Sequence, residues 1–134
     1  MNWLFKEEPS SYNYEELAKD RRTTWSGVRN PAAQKNLRSV KKGDRILYYH
    51  TGNEKAVVGV ARAIGDAYAD PDDKTGKAAV VDIAPAGKLA RPVTLAEIKA
   101  DGRFATFVLT RVPRLSVMPV TDKEWASIEK MSKT

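Results

Sequence analysis

The sequence predicts an α+β fold: a small mixed or mainly antiparallel β-sheet curled into a barrel, with short helices on its outside. Three observations carry this reading. Strand-like segments crowd between Arg45 and Val93, with short helical segments before and after them. Four short helices are announced by their capping residues. The order of strands and helices is irregular, without the regular alternation of a parallel α/β sheet. The 134 residues suit one domain spanning 1–134, and 42% hydrophobic with 30% charged residues is ordinary globular composition.

The elements follow in order. Asn2 to Lys6 (NWLFK) alternates as a strand and is broken by Glu8-Pro9-Ser10-Ser11. Asn13, with Glu16 three residues on, starts a helix through about Lys19 as a capping box. Thr23 to Trp25 is a brief strand. Asn30-Pro31 opens the next helix: Asn caps it, and Pro takes the first position, where its missing N–H costs nothing. Leu37 and Val40 give that helix its buried side, and Gly43-Asp44 ends it.

Arg45 to Thr51 (RILYYHT) is a strand by its β-branched and aromatic content. Ile46, Tyr48 and His50 share one face; Leu47, Tyr49 and Thr51 share the other. After the Gly52-Asn53 turn, Ala56 to Ile64 is another strand. Its Gly59, Ala61, Ala63, Gly65 face is uniformly small, so something bulky approaches it, a packed helix ahead of a ligand. Asp70 to Lys77 is a polar loop. Ala78 to Ala84 is a strand, which Leu89 to Val93 continues or re-enters. Thr94 to Glu97 is a capping box opening a helix with Leu95 and Ile98 inward. Phe107 to Thr110 and Arg114 to Val117 read as short extended pieces. Thr121 to Glu124 caps the last helix, with Trp125 and Ile128 facing the core.

Net charge is +6, and its placement is uneven. Lys19 to Arg45 holds nine basic residues against Asp20 and Asp44, a net +7, so the rest of the chain carries −1. Such concentration is the electrostatic footprint of a polyanion-binding face, nucleic acid first. The alternative is a solvated face that only aids solubility.

Several chemistries are poorly supplied. There is no cysteine, and His50 is the sole histidine, which excludes thiolate sites and sites of several imidazoles. No G-x-S-x-G accompanies His50, and Gly76-Lys77 lacks the rest of a phosphate loop. No cofactor or metal is expected. No apolar run approaches the roughly 18 residues of a membrane span, and the N-terminus lacks a secretory pattern. A cytoplasmic setting and a monomeric state are the default expectations.

Base recognition is better supplied. A base needs a π-surface, for which Trp25, Tyr48 and Tyr68 are candidates. It needs partners for its edge: Ser26, Asn30, His50, Thr51 and the backbone beside Gly27. It needs cations for flanking phosphates, supplied by Arg22, Arg29, Lys35, Arg38, Lys41 and Lys42. Trp3 and Trp125 read as core. Trp25, set between Thr24 and Ser26-Gly27, reads equally as packing or as a stacking wall.

WLFKEEP at Trp3–Pro9, WSGVRN at Trp25–Asn30, GDRILYYHT at Gly43–Thr51, VVGVARA at Val57–Ala63 and RLSVMPV at Arg114–Val120 together resemble the EVE domain. That family belongs to the PUA-like group and is related to the YTH domain. The resemblance implies a small β-barrel flanked by helices and a pocket that reads a modified base, modified cytosine in DNA foremost. It further implies that Trp25 is a cage wall, that Ser26 and Asn30 face the ligand edge, and that Lys6, Tyr48 and His50 line the same pocket. Leu109 and the Arg114 to Val117 run would close it, with Arg114 toward the nucleic-acid backbone. Tyr68, after the Val57–Gly65 strand, is the candidate second wall. Glu7 and Thr51 depart from the K-S-E-P and Tyr-His-Ser patterns usual in the family. The expected function is a non-catalytic reader of a modified base in DNA or RNA. The alternatives are a PUA-like enzyme binding or processing RNA or nucleotides, in which His50 would act with Lys6 or Arg29, and a protein-interaction module.

Overall fold

The alternating run Asn2–Glu7 (β1) is paired on both edges, which puts it inside the sheet. In the computed structural model, which describes residues 1–134, β1 runs parallel to β3 (Arg45–His50) and antiparallel to β7 (Val117–Val120). β3 pairs antiparallel with β4 (Ala56–Ala63), and β4 with the long β6 (Ala79–Thr94). β6 also carries β2 (Thr23–Trp25) and the two-residue β5 (Tyr68–Ala69), so the order is β2-β6-β4-β3-β1-β7 with β5 beside β6. The one parallel pair makes the sheet mixed. Register shifts at Val57/Gly59 and Val60/Ala61 bend β6 over β4, and Gly87 in β6 has φ +133°. Such bulges increase local twist, and the sheet curls into a half-barrel with short helices around it.

The helices begin where their caps predict. Asn13 with Glu16 closes a capping box on α2 (Tyr14–Asp20), which follows a single turn, α1 (Pro9–Tyr12). Asn30 caps α3 (Pro31–Arg38). Thr94 with Glu97 and Thr121 with Glu124 close boxes on α4 (Leu95–Ala100) and α6 (Asp122–Ser132). No helix is long and apolar enough to cross a membrane.

The small face of β4 is occupied as expected, by a helix residue. A Cβ on Gly59 would lie 2.5 Å from Tyr14 Cε1 of α2. The Tyr14 hydroxyl donates to the Val60 carbonyl at 2.7 Å and accepts from the Gly87 N–H at 3.1 Å, which locks the ring there.

Four expectations change. Pro9 starts a helical turn instead of only breaking the strand, because its fixed φ suits a first helical position. α3 ends at Arg38 with Ser39 as its cap, so the buried Val40 lies beyond the helix rather than on it, while Leu89–Val93 does continue the Ala78–Ala84 strand, since β4 pairs along both parts. Phe107–Thr110 is not extended: α5 (Val108–Arg111) forms there, closed by Arg111 N–H to Phe107 and Val112 N–H to Val108. The turn satisfies those backbone groups locally and carries Leu109 into the core at 2% exposure. The last strand lies at Val117–Val120 rather than 114–117, because its register on β1 sets Val117 opposite Phe5 and Val120 opposite Asn2.

Candidate nucleic-acid interface

Strand alternation divides the expected pocket residues between two faces of the sheet. Phe5, Tyr48 and His50 point one way from β1 and β3; Lys6, Tyr49 and Thr51 belong to the other. On the first face Trp25 is 6% exposed and Tyr48 is fully buried. The Trp25 ring lies 5.3 Å from Phe5 and 5.5 Å, edge on, from Tyr48. Tyr48 is in turn edge on to Tyr14 and His50, and its hydroxyl donates to the Tyr12 carbonyl at 2.6 Å. Burial raises the Tyr48 pKa, with the Glu7 carboxylate adding to the rise. Burial likewise pushes up the half-buried Glu7 carboxyl itself. Trp25 and Tyr48 thus form part of an aromatic core column, and no full ring face is open for stacking.

His50 is held inside this column. Its Nε2 accepts the Tyr14 N–H at 3.0 Å, so Nε2 carries the lone pair, and Nδ1–H donates to Glu54 at 2.7 Å. Both ring nitrogens are committed to structure, which leaves neither for proton transfer.

On the second face, Lys6, Thr51 and Leu109 line a separate hollow of about 290 Å³ together with Tyr49. Lys6 Nζ sits 5.7 Å over the Tyr49 ring and donates to the Pro113 carbonyl at 2.7 Å. Burial lowers its pKa. Arg114 is exposed beside this hollow, next to Pro113. The structure does not bring these residues to Trp25.

Tyr68 is also set apart. It pairs with Val80, whereas Trp25 pairs with Val81, so the two rings leave β6 on opposite sides. The Tyr68 hydroxyl donates to Asp82 at 2.8 Å, alongside Thr24 at 2.7 Å and Arg22 at 3.3 Å. These partners, Thr24 foremost, hold the Asp82 carboxyl below the usual range despite partial burial. Tyr68 therefore cannot be the second wall opposite Trp25.

What lies next to TWSGVRN is a cleft of about 710 Å³ that the sequence reading did not anticipate. One wall is the loop and helix that follow Trp25: Gly27, Val28, Arg29, Pro31, Gln34 and Arg38. The other wall is the Asp70 to Ala78 loop, with Asp70, Asp72 and Asp73. Gln34 joins the walls: its Nε2 donates to the Val28 carbonyl at 2.6 Å and its Oε1 accepts the Ala79 N–H at 2.8 Å. Arg38 donates to the Lys77 carbonyl at 2.6 Å.

Asp73 is spent on its own loop, accepting from the Ala78 N–H and from Thr75, and those donors lower its pKa. The Asp72 carboxylate and the Arg29 guanidinium make no such bond and stay exposed. Ser26 is exposed at the entrance, and Gly27, at φ +76°, turns the chain there. Asn30 Oδ1 accepts from the Ala33 N–H at 3.0 Å, which makes it the cap of α3. Lys35, Lys41 and Lys42 are exposed along α3 and the turn after it.

Comparison with known proteins points in one direction. The model of the EVE domain matches residues 1–131. Human thymocyte nuclear protein 1 is 30% identical over an alignment covering 92% of this chain and 70% of that protein. A solution structure of a Rhodopseudomonas palustris protein is 41% identical, with a TM-score of 0.94 over 98% of this chain and 92% of that one. The human thymocyte nuclear protein 1 structure in complex with DNA containing 5-methylcytosine superposes with a TM-score of 0.90 at 27% identity, over 99% of this chain and 98% of that one.

Proposed function

This chain belongs to the EVE domain family, and on that premise we propose that it is a non-catalytic nucleic-acid-binding domain that reads a modified base, modified cytosine in DNA foremost. The observation that carries the reading is the cleft beside Ser26-Gly27, with Arg29 and Arg38 on one wall and the free Asp72 carboxylate on the other. A carboxylate accepts from the exocyclic amine of cytosine. The guanidinium planes of Arg29 and Arg38 suit both base stacking and phosphate contact. The human relative bound to DNA containing 5-methylcytosine supports the same ligand class.

In this reading the basic segment draws the strand in, and one unpaired or extruded base enters the cleft. Extrusion costs a few kcal/mol, and stacking at about 1–3 kcal/mol per base with edge hydrogen bonds offsets it. A methyl group adds only about 0.8 kcal/mol by burial, so fit alone reads methylation within a few-fold, while the polar wall separates cytosine from other bases. Trp25 anchors the Ser26 to Asn30 loop from below, and His50, with both nitrogens engaged, acts as a strut instead of an acid or base.

The test is an affinity panel of short duplexes and single strands that differ only in cytosine, 5-methylcytosine or another base at one position. Lys41→Gln, exposed in the basic segment outside the cleft, should weaken all of them alike and reduce the salt slope by about one. Asp72→Asn should shrink the preference among bases, by about 1–3 kcal/mol at the cytosine position. The absence of any base-modification preference in every context tested refutes the reading.

A further inference from the structure

A second groove, of about 460 Å³, lies between α6 and the strands β3, β4 and β6. It opens on the face of β3 that carries Arg45, away from the Tyr48 face against which Trp25 packs. Arg45 and Arg62 stand directly opposite each other on the antiparallel pair β3 and β4. Like charges in that position repel, and neither arginine reaches a carboxylate within ion-pair distance. Arg45 is nevertheless held in place: its guanidinium lies 4.3 Å over the Trp125 ring, and its Nε donates to Asn2 at 3.1 Å. Lys88, paired with Glu15, and Lys133 add positive charge along the lining, against which only Glu129 is acidic. Trp125 also lines this groove, and its buried Nε1–H has no hydrogen-bond partner.

We propose that this groove binds a phosphate group bridged by the Arg45 and Arg62 guanidinium groups. Two unpaired cations held face to face weaken the free fold, and an oxyanion between them turns repulsion into two charge-assisted contacts. A tetrahedral anion with several acceptor oxygens suits two planar forks and a nearby ammonium better than a single carboxylate does. The stacking of Arg45 on Trp125 fixes one fork in advance, which reduces the ordering cost of binding. The phosphate belongs either to a nucleic-acid backbone or to a free phosphorylated small molecule. The site stands independently of the base cleft, because the two share no lining residue.

The experiment titrates the intact chain with inorganic phosphate and, separately, with a plain oligonucleotide, while the indole N–H signals of Trp125 and Trp25 are followed by NMR. Phosphate should shift the Trp125 signal saturably and leave Trp25 unmoved. Arg62→Gln, an exposed change, should weaken this response about tenfold or more, the effect expected for a lost charge-assisted bond. It should also leave Tm unchanged or slightly raised at low salt without ligand, which an arginine kept for stability would not allow. An oligonucleotide that moves Trp125 in wild type but not in Arg62→Gln assigns the strand backbone as the source. A response to phosphate without one to the oligonucleotide assigns a free small molecule. A Trp125 signal that does not respond, that responds equally in Arg62→Gln, or that moves only together with Trp25 overturns the proposal.

Discussion

Replacing Trp25 separates anchoring from stacking. The ring is 6% exposed and contacts Phe5 and Tyr48 at 5.3 and 5.5 Å. Truncating a buried tryptophan to alanine costs about 3–5 kcal/mol, and each aromatic pair contributes about 0.5–1.5 kcal/mol beyond its area. Against a total of about 5–15 kcal/mol for a domain, Trp25→Ala brings the chain close to unfolding. Any loss of binding by that variant alone is therefore uninformative. Trp25→Phe keeps an aromatic ring between Phe5 and Tyr48 and should cost roughly 1–2 kcal/mol.

The stability measurement is urea unfolding followed by far-UV circular dichroism, since three tryptophans would blur a fluorescence signal. The binding measurement is the affinity ratio for duplexes with and without 5-methylcytosine. If Trp25 anchors the loop, Trp25→Phe binds both duplexes somewhat more weakly and keeps their ratio. A selective collapse of the ratio, with a stability loss no larger than about 2 kcal/mol, refutes the anchoring role and returns Trp25 to a stacking wall.

Three further outcomes are expected. Gly59→Ala should lose about 1–3 kcal/mol in urea unfolding, because its Cβ would meet Tyr14 at 2.5 Å and that ring is pinned by two hydrogen bonds. Asn30→Ala should cost about 1 kcal/mol and Asn30→Asp should restore it, with the modified-base preference unchanged, since the side-chain oxygen is spent on the Ala33 N–H. The Asp82 carboxyl is depressed by Thr24, Tyr68 and Arg22, so its stabilisation is present above the unfolded value near about 3.9 and is lost as pH falls through the folded value. Wild type should therefore lose stability in acid more steeply than Asp82→Asn, and parallel acid unfolding curves would contradict this.

Local chemistry was legible before any coordinates. The boxes at Asn13/Glu16, Thr94/Glu97 and Thr121/Glu124, and the Asn30-Pro31 opening, each involve atoms within about four residues, so composition and spacing suffice to read them. The small face of β4 likewise announced a bulky neighbour, and strand periodicity alone separates Lys6 from Phe5. Phe107–Thr110 departs from its strand-like composition because that preference is weak and context-dependent, and here the helical turn buries Leu109.

The candidate site was decided at longer range. Whether Trp25 offers a face or an edge depends on Phe5 and Tyr48, about twenty residues away on either side. The cleft exists because Gln34 and Arg38 reach Ala79 and Lys77 across some forty residues. The facing arginines at 45 and 62 depend on a bulged register between β3 and β4. Near neighbours and composition dictate which local elements form, how they are capped and where positive charge concentrates. Strand register and sheet curvature then assign each side chain to a face, and so set which of those charges and rings meet.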